Sequence, residues 1–266
     1  MGKLGGVRTL FRINARLFSI PFGCGLLILI ASSAFTARAA APDQRVAVLV
    51  ELFTSEGCST CPPADALLDK LDQLQPIPGA EVIAMSEHVD YWNHAGWKDP
   101  FSSAELTHRQ QAYESRLGVP QPFTPQMIVD GTSTLVGSET MQARAAIENA
   151  ASLPALRVSI VPSADGRSAA IRVNPATTST GPDGDVYIAF AKDSASTDVR
   201  GGENRGSVLH YVSVVESLER AGSVTAKSGF STEVPIESKA GDRLIVFVQE
   251  PGYGRVMGAA MYRISK

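Results

Sequence analysis

The sequence predicts an α/β domain followed by a small all-β, sandwich-like domain, both behind an N-terminal export signal. Residues 42–153 alternate apolar runs of strand length with segments whose leucines recur at helical spacing. Residues 154–266 contain only short strand-like runs, separated by Gly, Pro, Asp and Ser. Residues 1–41 contain basic and apolar residues and no acid. We therefore expect a signal peptide at 1–41, an α/β domain at 42–153 and a β-rich domain at 154–266.

The first 41 residues have the three parts of a secretory signal. Five Lys or Arg residues lie in this segment, a short apolar run covers 23–35, and small residues follow at Ala39–Ala41. This arrangement is typical of a cleaved signal peptide, and the apolar run is too short to span a bilayer comfortably. The sequence thus predicts a periplasmic or secreted protein, with an uncleaved anchor as the alternative.

The charge of the exported part excludes some partners. The whole chain has 24 basic and 27 acidic residues; without the five basic residues of the signal, 19 basic and 27 acidic residues remain, a net charge of about −8. No basic run follows the signal. We therefore expect no nucleic-acid partner and no membrane partner after signal cleavage. Composition leaves the oligomeric state open.

The α/β part alternates elements in a regular order. A helix must start at or near Pro62 and Pro63, because proline fits only the first helical turn. Ser102 and Glu105 form a capping-box pattern before the next helix, and Asp130–Gly131 is a hairpin turn signal. The predicted order is strand 46–53, helix to 74, strand 80–86, helix to 117, strands 126–129 and 132–136, and a helix from a Ser138 cap to 151.

The second part contains about seven short strands, which is typical of a small β-sandwich. Residues 177–184 are interpreted as a loop inside this part. The predicted strands are 156–161, 169–173, 185–191, 208–215, 232–236, 243–249 and 257–264.

Two cysteines remain once Cys24 leaves with the signal: Cys58 and Cys61. In an oxidising compartment they can pair with each other, with another molecule or with a metal. The unpaired N–H groups at a helix start favour a thiolate. Cys58, expected to be exposed, is therefore the candidate nucleophile, and Cys61 would resolve a mixed disulfide. A purely structural disulfide is the alternative, although so short a loop contributes only roughly 2 kcal/mol.

Three further side chains are candidates for roles near the sulfur atoms. Glu51 is a carboxylate in an apolar strand, where burial would raise its pKa and make it a proton acceptor for Cys61; an edge position or a salt bridge to the second domain is the alternative. His88 and His94 could join the thiolates around zinc or copper. Because their spacing is not a known ligand pattern, we interpret them as hydrogen-bonding loop residues and predict no metal and no cofactor.

The polar and aromatic loop after the second strand contains both tryptophans of the chain. Tyr91, Trp92 and Trp97 could form an aromatic wall that recognises a peptide beside the cysteines; alternatively, they pack the loop against the sheet. The glycine-rich segment 202–206 could reach this site, but a solvated hairpin is the simpler interpretation.

A strand, a Cys-x-x-Cys pair opening a helix, and a Thr-Pro step before a hairpin together resemble the thioredoxin superfamily. More closely, the chain resembles a family of exported bacterial thioredoxin-like proteins known mainly as a domain of unknown function, over nearly all of the mature part. The segments that carry this resemblance are 50–65, 91–99, 124–126 and 202–206. The resemblance implies a thioredoxin-like fold for 42–153. It also implies a cis Pro125 that faces the cysteine pair, with Thr124 beside it, and exposes backbone to an extended substrate.

These observations lead to one functional hypothesis and an alternative of another class. The hypothesis is a thiol–disulfide oxidoreductase whose partners are protein thiols or disulfides, with Cys58, Cys61, Pro125 and Glu51 in the reaction. The alternative is a non-enzymatic envelope binding module, or a copper-handling protein, with a redox-sensitive cysteine pair.

Overall fold

The computed structural model describes residues 45–94, 96–175, 183–239 and 241–265. The predicted signal peptide and Cys24 lie outside these residues, as does most of the predicted loop 177–184. The described residues belong to one compact unit, Ala41–Lys266. Within these ranges, no helix combines the length and the apolar character needed to cross a membrane.

The first half of the unit contains three helices and four strands in the predicted order. The helices end where the sequence indicated, and Gly118 ends the second one with a left-handed φ of 69°. The cap of the second helix is Ser103, one residue after the predicted Ser102, and the third helix begins after Glu139 instead of Ser138. The elements are β1 Val46–Thr54, α1 Pro62–Leu74, β2 Ala80–His88, α2 Ala104–Leu117, β3 Gln126–Val129, β4 Ser133–Val136 and α3 Thr140–Ala151.

The second half contains the seven predicted strands and a short 3₁₀ turn at Glu237–Lys239. Two of the strands are about twice as long as predicted, and they pair with each other as a hairpin. The strands are β5 Val158–Pro162, β6 Ser168–Val173, β7 Gly184–Asp198, β8 Val208–Val224, β9 Phe230–Pro235, β10 Asp242–Gln249 and β11 Val256–Arg263.

One mixed sheet runs through both halves, in the order β11-β10-β7-β8-β2-β1-β3-β4. Strands β1 and β2 are parallel, β3 runs antiparallel to β1, β4 runs antiparallel to β3, and β8 joins β2 through the parallel pair Ser86–Val214. The chain is therefore α/β, as predicted. The expected all-β domain with a sheet of its own is not confirmed, because the sheet crosses the predicted boundary at 153/154.

A second sheet, β5-β6-β9, covers part of the large sheet. Its apolar residues Ile171 and Val173 share a core with Val186, Ile188 and Val246 of the large sheet. The sandwich-like packing that the sequence suggested is thus present, but four of its strands also extend the sheet of the first half.

The two faces of β1 have different neighbours. Val50 and Leu52 pack with Ala64 and Leu68 of α1. Successive residues of a strand point to opposite faces, so Glu51 points away from α1. This alternation decides which side chains can meet the cysteine pair.

The β7–β8 hairpin extends beyond its junction with β2 as a two-stranded arm, from the pair Ser194–Val212 to the pair Asp198–Val208. β8 packs against α1. The tip of the arm, residues 199–207, is closed by a hydrogen bond from Gly206 N to Val199 O at 2.8 Å. The arm therefore brings the glycine-rich segment of the second half to the start of α1.

Candidate functional site

Cys58 and Cys61 lie in the turn between β1 and α1, where they form a disulfide with a Cα–Cα distance of 5.5 Å. Cys61 is the N-cap residue of α1, and its carbonyl accepts hydrogen bonds from the amides of Ala64 and Asp65 at 2.8 and 3.1 Å. Pro62 can follow directly because the first helical residue needs no N–H partner. The pair thus opens the helix, as predicted.

The disulfide is closed off from solvent. Cys58 is 1% exposed and Cys61 is fully buried, whereas Ser59 and Thr60 between them are exposed. The prediction that Cys58 is exposed is therefore wrong for this oxidised form. Only the middle of the turn, Ser59 and Thr60, faces solvent.

The tip of the β7–β8 arm contributes to this cover. The Asn204 side-chain amide donates to the carbonyl oxygens of Glu56 and Cys58, each at 2.9 Å. The backbone amide of Ser59 donates to the Glu203 carboxylate at 3.1 Å. Segment 202–206 is thus a hairpin tip with Glu203, Arg205 and Gly206 exposed, as interpreted, but it also reaches the cysteine turn through Asn204 and Glu203. The motif was visible in the sequence, but the length of the arm that places it was not.

The tip also rests on the aromatic loop. A Cβ atom on Gly201 would lie 2.4 Å from the carbonyl oxygen of Gly96, too close for any other residue to fit without movement. A glycine at 201 therefore allows the two backbones to approach each other over the cysteine turn.

Pro125 and Thr124 lie at the start of β3, and the peptide bond between them is cis, as the resemblance implied. Pro125 is buried. The Thr124 hydroxyl accepts a hydrogen bond from the Trp92 indole at 2.8 Å. The backbone of Gly57 lies under Trp92, since a Cβ on Gly57 would be 3.0 Å from that of Trp92. Trp92 thus links Thr124 to the residue before Cys58.

The three aromatic residues of the loop do not form one wall. Tyr91 and Trp92 pack with Phe53 and Tyr113, whereas Trp97 belongs to a separate cluster with the arm. Partial burial of all three agrees with the alternative interpretation, in which they pack the loop against the sheet.

Glu51 is buried on the α2 side of the sheet. Its two oxygens accept hydrogen bonds from Arg109 Nε and the Tyr113 hydroxyl, both at 2.6 Å. Because α1 packs on the opposite face of β1, Glu51 cannot accept a proton from Cys61. The strand geometry therefore contradicts the Glu51 relay. Glu51 does form a salt bridge, but with Arg109 of α2 in the first half and not with the second part of the chain as the alternative had it.

Glu51, Glu87, Arg109, Tyr113 and Gln249 form a buried group that we call the Arg109 cluster. Arg109 donates to Tyr113 and Gln249 at 2.9 and 3.3 Å, and four aromatic rings lie 5.0–5.6 Å from its guanidinium carbon. Burial and the Glu51 charge raise the pKa of Glu87 well above its usual value, which favours the neutral form of this carboxyl beside the Arg109–Glu51 ion pair.

A second buried group lies on the cysteine side of the sheet. We call it the Asp65 cluster; its members are Thr54, Glu56, Asp65, His88, Asp99 and Tyr211, all less than one-tenth exposed. His88 Nδ1 pairs with Asp99 Oδ2 at 2.7 Å, and the Glu56 amide donates to the same oxygen at 2.9 Å. The rings of His88 and Tyr211 are 4.6 Å apart, edge to face.

The Asp65 cluster contains more acids than cations. Burial raises the pKa of Asp65 to about 7 and also raises that of Glu56. Burial alone would lower the pKa of His88, but the Asp99 carboxylate outweighs it and the pKa rises. For Asp99, the bond to His88 outweighs burial and lowers the pKa. His88 is thus committed to Asp99, and Asp65 has no ion-pair partner among the described residues.

Five atoms of this cluster have no hydrogen bond of good geometry within the described residues: Thr54 Oγ1, Glu56 Oε1, Asp65 Oδ1, His88 Nε2 and Tyr211 OH. Thr54 lies close enough to Asp65, and Thr197 to Glu56, to oppose the rise in the pKa of each acid. A buried polar atom without a partner costs about 1–3 kcal/mol. Because most buried polar groups in proteins are satisfied, such a concentration next to a disulfide marks a candidate functional site. Asp65 is four residues after Cys61, on the same side of the helix.

The metal alternative has no geometric support in the part of the chain that the structure describes. No group of three or more His, Cys, Asp or Glu residues there is placed to hold an ion. His88 points inward to Asp99, whereas His94 is exposed, so the two do not converge on the sulfurs.

The fold and site define a class: a mixed α/β protein whose second half completes the sheet of the first and covers a disulfide at a helix start. Residues 49–249 match the family described as protein of unknown function (DUF1223), and the chain belongs to this family. Comparison with curated proteins finds no match.

Two solved structures share the architecture. The crystal structure of protein AGR_C_4864 from Agrobacterium tumefaciens is similar with a TM-score of 0.68 and 26% identity, over 84% of this chain and 96% of that one. HBP35 of Porphyromonas gingivalis is similar with a TM-score of 0.53 and 15% identity, over 83% of this chain and 76% of that one. The second likeness concerns the fold alone.

Proposed function

We propose that this protein is an exported thiol–disulfide oxidoreductase in which Cys58 and Cys61 are the redox pair. The observation that carries the proposal is the disulfide at the start of α1. The strand order β2-β1-β3-β4, with β1 and β2 parallel and α1 directly after β1, supports a thioredoxin-like assignment for the first half. A disulfide is also consistent with an oxidising compartment outside the cytoplasm.

The exchange requires no group besides the two cysteines and a partner. In the reduced protein, the Cys58 thiolate attacks a partner disulfide, forms a mixed disulfide and releases one partner thiolate. The Cys61 thiolate then attacks the Cys58 sulfur, releases the second partner thiolate and leaves the Cys58–Cys61 disulfide. Two electrons pass to the partner, and the reverse sequence oxidises a partner dithiol.

Burial adds a step before the reaction. An external thiolate cannot reach a Cys58 sulfur that is 1% exposed, so the tip of the arm must first move. Three bonds oppose that movement: two from Asn204 and one between Ser59 and Glu203. We expect the opening of this contact to control the rate of exchange.

The test is a redox titration of the folded mature chain. The protein is equilibrated with a series of glutathione ratios and alkylated, and the mass reports the reduced fraction. We expect full reduction while near-ultraviolet circular dichroism remains native. A Cys61→Ser variant should trap a mixed disulfide with an oxidised protein substrate, and a Cys58→Ser variant should not.

The burial of both sulfurs favours a second candidate, a binding module with a purely structural disulfide. The same titration separates the two. If the pair is reduced only when the protein unfolds, the oxidoreductase proposal is wrong and the structural disulfide remains.

A further inference from the structure

A cleft of about 630 Å³ lies between the first turns of α1 and the β7–β8 arm, next to the cysteine turn. Its walls include the apolar side chains of Pro62, Ala66 and Leu209 and the carboxylates of Asp65 and Asp69. No lysine or arginine is among the described residues that line it. The cleft is therefore acidic along α1, and its other walls combine apolar side chains with the polar Ser194, Ser196 and His210.

Two side chains of the Asp65 cluster form part of the cleft lining with unused hydrogen-bonding capacity. Asp65 is 5% exposed and Tyr211 is 4% exposed, and Asp65 Oδ1 and the Tyr211 hydroxyl have no partner within the described residues. A carboxylate oxygen only accepts hydrogen bonds, and a hydroxyl also can accept. A partner for Asp65 Oδ1 must therefore supply an N–H or O–H donor, and the Tyr211 hydroxyl oxygen can accept from the same partner.

The charge of the surroundings selects among donors. Glu56 and Asp99 lie near Asp65, and the nearby His88 is paired with Asp99. Asp69 on the cleft rim is bonded to the neutral Gln73, and the exposed His210 also lines the cleft. When His210 is neutral, an incoming cation would meet mainly negative charge, which favours its binding in a partly enclosed site.

We propose that this cleft binds an aliphatic cation, an ammonium or guanidinium group on a methylene chain, with the charged end at Asp65 and the chain along the apolar walls. The shape fits such a ligand because lysine and arginine side chains pack their stems on apolar surface and place the charge on polar atoms. A bare metal ion fits less well, because no group of three metal-ligating residues is assembled among the described residues.

If the protein is an oxidoreductase as proposed, the cleft would recognise its substrate; this role rests on the proposed function. A basic side chain held at Asp65 would bring its polypeptide to the residue that precedes α1, where the disulfide lies. The acidic exported part of the chain, with a net charge of about −8 once the signal is removed, would attract such a segment.

Isothermal titration calorimetry on the oxidised mature protein tests the cleft. The probe is a capped five-residue peptide, Gly-Gly-Lys-Gly-Gly, compared with the same peptide carrying norleucine. We expect the lysine peptide to bind at least about tenfold more tightly, because a hydrogen bond to a charged partner is typically worth that factor. A second titration with spermidine shows whether the cleft prefers a free polyamine or a protein side chain. Binding of either ligand supports a site for aliphatic cations.

The variants locate the binding. Asp65→Asn should weaken the lysine peptide at least about tenfold and leave the norleucine peptide unchanged. Glu105→Gln, an exposed acid on α2 outside the cleft, is the matched control and should change neither. If Asp65→Asn does not fold, Asp69→Asn at the rim replaces it, with an expected weakening of about threefold.

The number of protons released on binding is a further readout, which a purely structural role of Asp65 would not produce. A cation at Asp65 lowers the pKa of this carboxyl, which also faces Glu56, His88, Asp99 and Tyr211. Binding near pH 7 should therefore release protons, seen as heats that differ between buffers of different ionisation enthalpy. Equal affinity for the lysine and norleucine peptides together with no spermidine binding, or undiminished lysine binding in the folded cleft variant, overturns the proposal. Because binding is measured on the disulfide form, a failed redox titration would not affect it.

Discussion

The Arg109 cluster and the Asp65 cluster lie on opposite sides of the same sheet and show two ways of burying charge. In the Arg109 cluster the cation is bonded to Glu51, Tyr113 and Gln249 and is enclosed by aromatic rings. In the Asp65 cluster the acids outnumber the single histidine, and five polar atoms lack partners among the described residues. The cation of the first cluster is paired with Glu51, although both Glu87 oxygens there also lack hydrogen-bond partners among the described residues, whereas the acids of the second cluster have only His88.

The difference separates a stabilising contact from a functional one. The Arg109 cluster ties β1, β2 and α2 to β10 through Gln249, so it joins the two halves of the chain. The Asp65 cluster lies between a disulfide and a cleft, where its unpaired atoms cost stability. A binding or catalytic site keeps polar atoms free for a ligand even though these atoms cost stability. The following variants test whether the two clusters differ in this way.

Arg109→Met should have the largest effect on stability. It leaves Glu51 buried without its cation, and breaking a buried ion pair on one side typically costs about 3–5 kcal/mol. Urea unfolding measures the change in the free energy of unfolding. Arg220→Met, which removes an exposed pair with Asp185 at 2.7 Å, is the matched control and should change little. Similar losses in both variants would mean that the Arg109 cluster is not a special element of the fold.

Asp65→Asn should change the pH dependence of stability. The pKa of Asp65 is raised from 3.8 to about 7, so between those values the folded protein binds a proton that the unfolded chain has lost. Stability contributed by this group therefore falls as pH rises from about 4 to about 7, by about 2–4 kcal/mol, and then stays constant. The asparagine variant should lack this part of the fall.

The comparison is made on unfolding free energies at several pH values in both proteins. Asp130, whose pKa burial also raises to about 7, contributes the same slope to each and cancels in the difference. Parallel pH profiles for the two proteins would contradict the assignment of Asp65 as an uncompensated buried acid.

Asn204→Ala should accelerate reduction of the native disulfide. The variant removes both hydrogen bonds that hold the arm tip to the carbonyls of Glu56 and Cys58. Each such bond is worth about 1 kcal/mol, so the loss of both should raise the rate with dithiothreitol about thirtyfold. Asn174→Ala, at an exposed position outside the tip, is the control. An unchanged rate would show that the tip does not limit access.

The local elements of the fold were predictable because their signals are local. Prolines 62 and 63 indicate a helix start, Gly118 a helix end, and Asp130–Gly131 a hairpin, and each is found at that place. The joining of the halves was not predictable. Within the sheet it depends on the pairing of Ser86 with Val214, residues far apart in sequence, and no local pattern encodes such a register.

The site was predictable to a similar depth. The cysteine pair and its helix follow from spacing, whereas the side of β1 on which Glu51 lies depends on which face α1 packs. No sequence signal predicted that Asp65 is a buried, unpaired acid, since an acid in the first turn of a helix is ordinarily explained by the helix dipole. The unusual environment of Asp65 arises from its burial beside Tyr211, a residue of the second half.

Trp97→Phe should have the smallest effect and gives the most specific test of the Asp65 cluster. The ring packing with the arm is retained, but Glu56 loses the indole N–H that donates to it at 2.6 Å. Because that bond favours the ionised form, its loss should raise the pKa of Glu56 further. The destabilisation should grow as pH rises and Glu56 ionises, to about 1 kcal/mol near pH 7. Trp92→Phe removes a bond to the neutral Thr124 hydroxyl, so its cost should not vary with pH. If the two variants respond alike, the charge of Glu56 has no part in the energetics of the site.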